Sequence, residues 1–525
     1  LGVAQRSGDR WATSQIRRNR KGNKHMNYRP NEMNLWDTWC IPHGKEVHAF
    51  YMQRRAKGSS RTLTEERSIG HAVSDNLLDW KELPTAVMPG EVGSGEDLDI
   101  FTGCAFEKND DCFLYYTQRS SEDGGLIQRI ALATSRDWVH FTKFSGNPVI
   151  EPDPDVYCTR EHPARHGIVD CRDLIVVENP DGEGYYGFFA ARRPSEEMPE
   201  GAAIACVYSK DLYHWENVGP VFTAKTNTIV EVPDVFCMNG RWYLTMLVSN
   251  EYGSRDLFSE QELIQGTVYA VSDKVTGPYV MEPDNVILAS RRQNGITCRS
   301  VMFEGKRMLL YTRVEREGER DDGAPSPGSL STPKEYRLVD GKLRAVYSPL
   351  VEEKCSLQRI TQEVLHKNLS DYRVLYSTPA KWQVDDDRIS GRIRTCWDRY
   401  QMELRGEAFM FSADITLDEG AAAGLVLKQS DGYSGYGVIL DFNWQKLLFA
   451  VMPRVEILDA RSCVLEHGKT YHLRVVCTSI HYDIFLDDVL MIQTVSYRYK
   501  DGICGLFLDR GRGSFEYLDF RTLDV

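Results

Sequence analysis

The sequence predicts an all-β chain, a five-bladed β-propeller followed by a β-sandwich. Two observations point to the propeller. A turn followed by an aromatic strand recurs five times, as "GKEVHAFYMQR" (44–54), "DDCFLYYTQR" (110–119), "GEGYYGFFAAR" (182–192), "NGRWYLTMLVS" (239–249) and "EGKRMLLYTR" (304–313). The spacing is roughly 60 to 70 residues, and no stretch between the turns has convincing helical periodicity. Each unit has room for a hairpin and further strands, and four-stranded units repeated radially close into a propeller. The third observation marks a second domain. From about residue 350 the pattern changes to short strands such as "FMFSADITL", "AAGLVLKQ", "YGVILDF" and "YHLRVVC", split by turns bearing Gly and Asp, as in a two-sheet sandwich.

A second repeated element supports the blades. "HAVSDNLLDWKEL" (71–83), "LATSRDWVHFTKF" (132–144) and "CVYSKDLYHWENV" (206–218) each place a Ser six residues before an aromatic. Ser and Asp beside a turn cap backbone groups, and the aromatics Trp80, Phe141 and Trp215 are expected to fill the space between blades. These elements are read as scaffold. The expected organisation is an N-terminal extension over 1–27, a propeller over 28–335, and a linker hairpin and sandwich over 336–525. Residues 316–335, rich in charge, Pro, Gly and Ser, read as a loop.

Composition narrows the function classes. The chain has 525 residues, 42% hydrophobic and 11% aromatic, with a net charge of -13. That balance argues against nucleic acid or an anionic membrane as partner, and no apolar run approaches the roughly 18 residues a span requires. The 13 cysteines show no C-x-x-C pair and read as reduced thiols. Residues 1–24 hold seven Arg and Lys against one Asp and lack an apolar core. They are therefore no secretory signal. The extension is expected to be disordered and the protein cytoplasmic. His43, His71, His140, His162, His166 and His214 have no ligand spacing, and no nucleotide fingerprint is present. Neither metal nor cofactor is expected, and oligomeric state is not legible.

The chemistry lies in the strand before each repeat's turn. "IVEVPDVF" (229–236) reads as buried strand, yet Glu231 sits in it, and a carboxylate in apolar surroundings is costly unless paired or used. Seven to nine residues before the turn, blade one offers Asp37, blade three offers Arg172 and Asp173, and blade four offers Glu231. In a propeller this strand lines the central channel, so three carboxylates of like phase should converge at one end of the axis. Any one alone reads better as structural; the three together read as a site. Clustered carboxyls push one another's pKa values apart. Glycoside hydrolysis uses two, one to protonate the leaving oxygen and one to attack or to activate water. Arg172 would keep Asp173 ionised and oriented.

These motifs resemble glycoside hydrolase family 32, the invertase and fructanase family. "CRDLIVV" is similar to its Arg-Asp-Pro strand and "VEVPDVF" to its Glu-Cys-Pro-Asp strand. "IGHAVSDNLLDW" resembles its Trp-Gly-His-Ala segment and "DIFTGCA" its Ser-Gly-Ser segment, and "GNPVI" (146–150) is also typical. The likeness runs over about 28–350 and continues into a C-terminal domain resembling a concanavalin-like sandwich. It implies Asp37 as nucleophile, Glu231 as general acid/base and Asp173 as transition-state stabiliser, with Phe101, Thr102 and Arg172 lining the sugar pocket. Blade one departs from the family pattern. Where Trp-Met-Asn-Asp-Pro-Asn-Gly is usual, this chain has "NLWDTWCIP", with Trp36, Thr38 and Trp39 around Asp37. The two indoles either stack on a sugar face or pack between blades.

The function expected is retaining, exo-acting hydrolysis of β-fructofuranosides or a related furanoside, with a small carbohydrate or oligosaccharide as substrate. The alternatives are an inverting furanosidase or xylosidase of the arabinanase-like propeller type, and a non-catalytic carbohydrate-binding protein. The inserts at 90–99 and 151–167 are expected to wall the pocket.

Overall fold

The computed structural model describes residues 26–56, 67–158, 169–194, 200–224, 229–249, 265–292, 294–357, 360–370, 379–430 and 434–524. Runs rich in Val, Ile, Tyr and Phe form strands because branched and aromatic side chains pack well on a pleated surface. These strands build five blades around one axis. The inner strands are Met33–His43, Asp99–Lys108, Arg172–Glu178, Glu231–Met238 and Gly295–Phe303. Each pairs antiparallel with the aromatic strand after its turn, as in Trp39↔Phe50 and Phe236↔Tyr243. The first four blades are four-stranded.

The capping motifs work as expected. Asp137 Oδ1 accepts from the backbone N–H of Val139 and His140, and Asp211 Oδ1 does the same for Tyr213 and His214. Asn76 takes this place in blade one, accepting from Leu78 and Asp79. Such short side chains bond locally to backbone more readily than longer ones.

Blade five differs from the expectation. Its inner pair, Gly295–Phe303 and Lys306–Arg316, is extended by Pro325–Leu330 and then by Lys334–Val339 and Lys342–Tyr347. The segment expected to be a loop therefore contains a strand, and that strand also pairs with blade one at Leu35↔Gly328, which closes the ring. The hairpin expected to lead off the propeller is the outer part of blade five. The reason is its apolar alternation: Tyr336, Leu343, Ala345 and Tyr347 are buried in one cluster with Leu309 and Tyr311.

The sandwich follows, dominated by the long strands Arg388–Arg405 and Ile503–Leu523. Phe409, Phe411, Leu425, Val438, Phe449, Leu473, Ile484 and Leu506 belong to its core. It packs on the propeller through Met410, Val476, Phe485 and Leu490. A buried polar knot reinforces this contact: Asp483 accepts from Arg313, Lys334, Tyr311 and Thr332.

Residues 1–25 of the expected extension lie outside the described residues, but Met26 and Asn27 do not behave as a tail. Met26 is buried, and Asn27 bonds Arg313 and the Thr478 carbonyl. All thirteen cysteines are free thiols. Among the described residues, no helix is long and apolar enough to cross a membrane, and no group of three His, Cys, Asp or Glu is disposed to hold a metal ion.

Candidate active site

A strand alternates its side chains, so an unbroken inner strand would send only every second residue to the axis. All five inner strands interrupt that alternation at the same level. The register of each against its partner shifts between Leu35 and Thr38, Phe101 and Gly103, Arg172 and Ile175, Glu231 and Asp234, and Ile296 and Arg299. These are β-bulges, which insert a residue and re-aim side chains. Asp173, Val232 and Thr297 take left-handed backbone there, with φ of 65°, 51° and 54°. Such conformations are costly for residues with a Cβ and cluster at functional sites. The bulges let successive residues, Trp36 with Asp37, Phe101 with Thr102 and Arg172 with Asp173, line one cavity of about 250 Å³. Glu231 joins them, so the three carboxyls expected from the repeat meet in one place.

The carboxyls sit in different environments. Asp37 accepts a hydroxyl on each oxygen, from Thr102 on Oδ2 and from Thr297 on Oδ1. Burial raises its pKa above the ordinary carboxylate value, while the two hydroxyls and the charges of Arg299 and Arg172 pull against that rise. Asp173 is buried; its Oδ2 accepts from the Val232 N–H at 3.1 Å and lies 3.5 Å from Arg172 Nε. Burial pushes its pKa up to about 7, with the neighbouring charges of Glu231 and Asp37 adding to the rise and Arg172 opposing it. Glu231 keeps 27% of its side chain exposed. Arg172 donates Nε and Nη2 to its Oε2 at 3.3 and 3.1 Å, which leaves Oε1 to carry a proton. Its pKa is also raised, by burial and then by Asp37 against the pull of Arg172.

Arg172 is the hub. Besides Glu231 it bonds Asp170 and, at 3.2 Å, Gln128 Oε1. Asp170 in turn pairs with Arg192. A planar guanidinium held on several sides has one orientation, which fixes where Glu231 points.

The remaining expected residues divide. Trp36 lines the cavity beside Leu247 and Ile296. Phe101 lines it with the Arg119 guanidinium 4.6 Å over its ring. Thr102 lines it too, but its hydroxyl is spent on Asp37. Trp39 does not reach the cavity and is not a sugar contact. It lies beyond the bulge, on the strand face that packs between blades one and two with Phe50, Ile100 and Leu114. The inserts also differ from expectation, since none of residues 90–98 or 151–158 lines the cavity. Glu96 and Asp97 fold back onto Tyr116 and Ser121 of blade two. Residues 159–167, with His162 and His166, lie outside the described residues.

Several contributors carry no sequence signal. Thr297 and Arg299 come from blade five, which has no acid at the repeat position. Met52, Leu247 and Ile296 give the cavity an apolar side. Gln265 lines it with a buried Oε1 that has no hydrogen-bond partner, an acceptor awaiting a hydroxyl.

The family model described as "Glycosyl hydrolases family 32 N-terminal domain" matches residues 30–285. Among curated proteins, a sucrose-6-phosphate hydrolase of Zymomonas mobilis subsp. mobilis is 24% identical over 299 residues, covering 54% of this chain and 54% of that protein. A levanase of Bacillus subtilis is 39% identical over 93 residues, 16% of this chain and 13% of the levanase. The first of these relatives is thus matched over about half its length. Among solved structures, a Bombyx mori GH32 beta-fructofuranosidase variant in complex with sucrose aligns with a TM-score of 0.64 at 17% identity, over 96% of this chain and 94% of that one. The sucrose-6-phosphate hydrolase of Lactobacillus gasseri aligns with a TM-score of 0.68 at 13% identity, over 95% and 93%. An exo-inulinase of Aspergillus awamori gives 0.67 at 15%, over 96% and 98%. At these identities the structural likeness establishes the shared fold.

Proposed function

The chain is a glycoside hydrolase family 32-like protein, and from that premise we propose that it is a retaining, exo-acting glycosidase of β-fructofuranosides or a closely related furanoside. One observation carries the proposal. Three carboxyls from three blades share one cavity in three environments, and the environments match three tasks. Asp37, with a hydroxyl on each oxygen, is the nucleophile. Its oxygen attacks the anomeric carbon while the bond to the leaving oxygen breaks. Glu231, half-open to solvent and raised in pKa, gives that oxygen its proton. It then takes a proton from the water that cleaves the glycosyl–Asp37 ester, which restores both acids. Asp173, held by Arg172 and the Val232 N–H, receives sugar hydroxyls as positive charge develops on the ring.

Exo action is supported by the cavity's shape. Its volume of about 250 Å³ lies below the roughly 300–1,000 Å³ of sites for drug-sized ligands, and it suits one sugar unit better than the middle of a chain. Arg299, buried, spans from blade five to the backbone of blades two and three, a crossing that supports a closed inner end. Trp36 and Phe101 offer ring faces for stacking, and Gln265 offers a hydrogen-bond acceptor.

The test is hydrolysis by the purified protein of sucrose, sucrose 6-phosphate, inulin and levan oligosaccharides, and aryl β-fructo-, arabino- and xylofuranosides, with Glu231→Gln as control. NMR reads the anomer first released. Release of a terminal sugar with retained configuration, lost in the variant, supports the proposal. Inverted product would reassign Asp37 as a base acting through water. Sugar binding without turnover by either protein would make the chain a binding protein.

A further inference from the structure

Below the three carboxyls lies a side chain that the chemistry above does not use. Arg299, on the inner strand of blade five, is 4% exposed. It does not line the cavity. Its Nη1 donates to the Gly103 carbonyl of blade two, and its Nη2 donates to the Asp173 carbonyl of blade three at 2.7 Å. Its Nε has no partner, and among the described residues no carboxylate lies within ion-pair distance of it. A buried guanidinium without a carboxylate partner is costly, and a neutral chain could supply two donors to two carbonyls. The charge therefore has a purpose that the hydrogen bonds do not explain.

Both carbonyls belong to bulge residues or their neighbours. Gly103 follows Thr102, which donates to Asp37, and Asp173 has φ of 65°. One group thus ties the backbone that presents Thr102 to the backbone that presents Asp173. Gly103 cannot be larger, because a Cβ there would lie 1.8 Å from the Tyr115 carbonyl.

We propose that Arg299 is a positioning residue of the site: it closes the channel, locks the bulges of blades two and three, and serves as the fixed counter-charge that keeps Asp37 ionised. The groups that face Asp37 come from every inner strand: Thr102, the Arg172 and Asp173 pair, Glu231, and Thr297 with Arg299; Arg54, on the strand paired with that of Asp37, lines the same cavity but is exposed to solvent. Of these, Arg172 is already shared among Asp170, Asp173 and Glu231. Arg299 is the buried cation not so engaged, and its field acts against the desolvation of both Asp37 and Asp173. The Cys104 thiol also lies in that field, but burial holds its pKa at about 12, so it stays neutral.

The test compares Arg299→Gln, which keeps an amide donor and loses the charge, with Arg299→Lys, which keeps the charge and loses the fork. Infrared difference titration against Asp37→Asn in each background reads the ionisation of Asp37 without turnover. The midpoint should rise by roughly one pH unit in Arg299→Gln and stay near the parent value in Arg299→Lys. An unchanged midpoint in a folded Arg299→Gln protein overturns the proposal. If that variant fails to fold, a displaced midpoint in Arg299→Lys overturns it instead. A kinetic arm rests on the glycosidase reading: the acidic limb of kcat/KM should move with the midpoint. A parent without turnover would defeat that reading and leave the infrared result to decide this one.

Discussion

Glu231, partly exposed, and Asp173, buried, flank Arg172, and each has a raised pKa with a different consequence. In its proposed role as general acid Glu231 must hold its proton before reaction, and the upward direction of its pKa supports that role. Activity should fall as pH rises through that pKa, and fall again as acid protonates Asp37. In Glu231→Gln the alkaline limb should vanish and kcat should drop by roughly 10²–10⁴, with sugar binding retained; steady-state kinetics and calorimetry separate these. Asp173 carries the stability consequence. Its folded pKa of about 7 lies above the ordinary 3.8, so the folded state holds the proton more tightly than the unfolded chain. The fold therefore loses stability as pH rises through that window. Asp173→Asn keeps an oxygen for the Val232 N–H and removes the charge. Its melting temperature should gain on the parent at the upper end of the window and not at the lower, while activity is lost.

At the scale of the element, the bulge decides which side chain does what. Trp36 precedes Asp37 on the bulge and faces the cavity; Trp39 lies past it and faces the blade interface. Trp36→Ala should raise KM with a small loss of stability. Trp39→Ala should cost about 3–5 kcal/mol of folding free energy and leave KM near the parent value, as denaturant melts and initial rates would show. The same element explains what was legible beforehand. The phase of Asp37, Asp173 and Glu231 could be counted, because a repeat fixes distance from its turn and the acids interrupt apolar strands. The bulges could not. Left-handed backbone is usually announced by Gly or Asn, but here it falls on Asp173, on Thr297 and on the β-branched Val232, whose composition reads as plain strand. Thr297 and Arg299 were illegible for a related reason. Blade five offers no acid, and its contributions are a hydroxyl and a guanidinium that mean nothing until the ring closes.

For the whole molecule, the two-part organisation was legible from the change of pattern near residue 350, but the boundary was not. The hairpin from Lys334 to Tyr347 looks like a linker by position, yet its buried alternate face pairs it into blade five. That blade also carries the propeller's side of the Asp483 knot. Asp483→Ala would leave Arg313 and Lys334 buried without their carboxylate. A loss of about 3–5 kcal/mol is expected, read as a lower denaturant midpoint. The cavity is lined entirely by the propeller, so activity should survive this change below the new melting temperature.

The proposed role of Asp37 is to bond the sugar, and the most direct measurement is to trap that bond. Glu231→Gln, incubated with an aryl β-fructofuranoside whose leaving group needs no protonation, should form the glycosyl ester faster than water removes it. Peptide mass mapping should then place one sugar residue on the peptide containing Asp37, with none in the Asp37→Asn, Glu231→Gln double variant. Release of the aryl group with no adduct on Asp37, and with inverted sugar as product, would rule out Asp37 as the nucleophile.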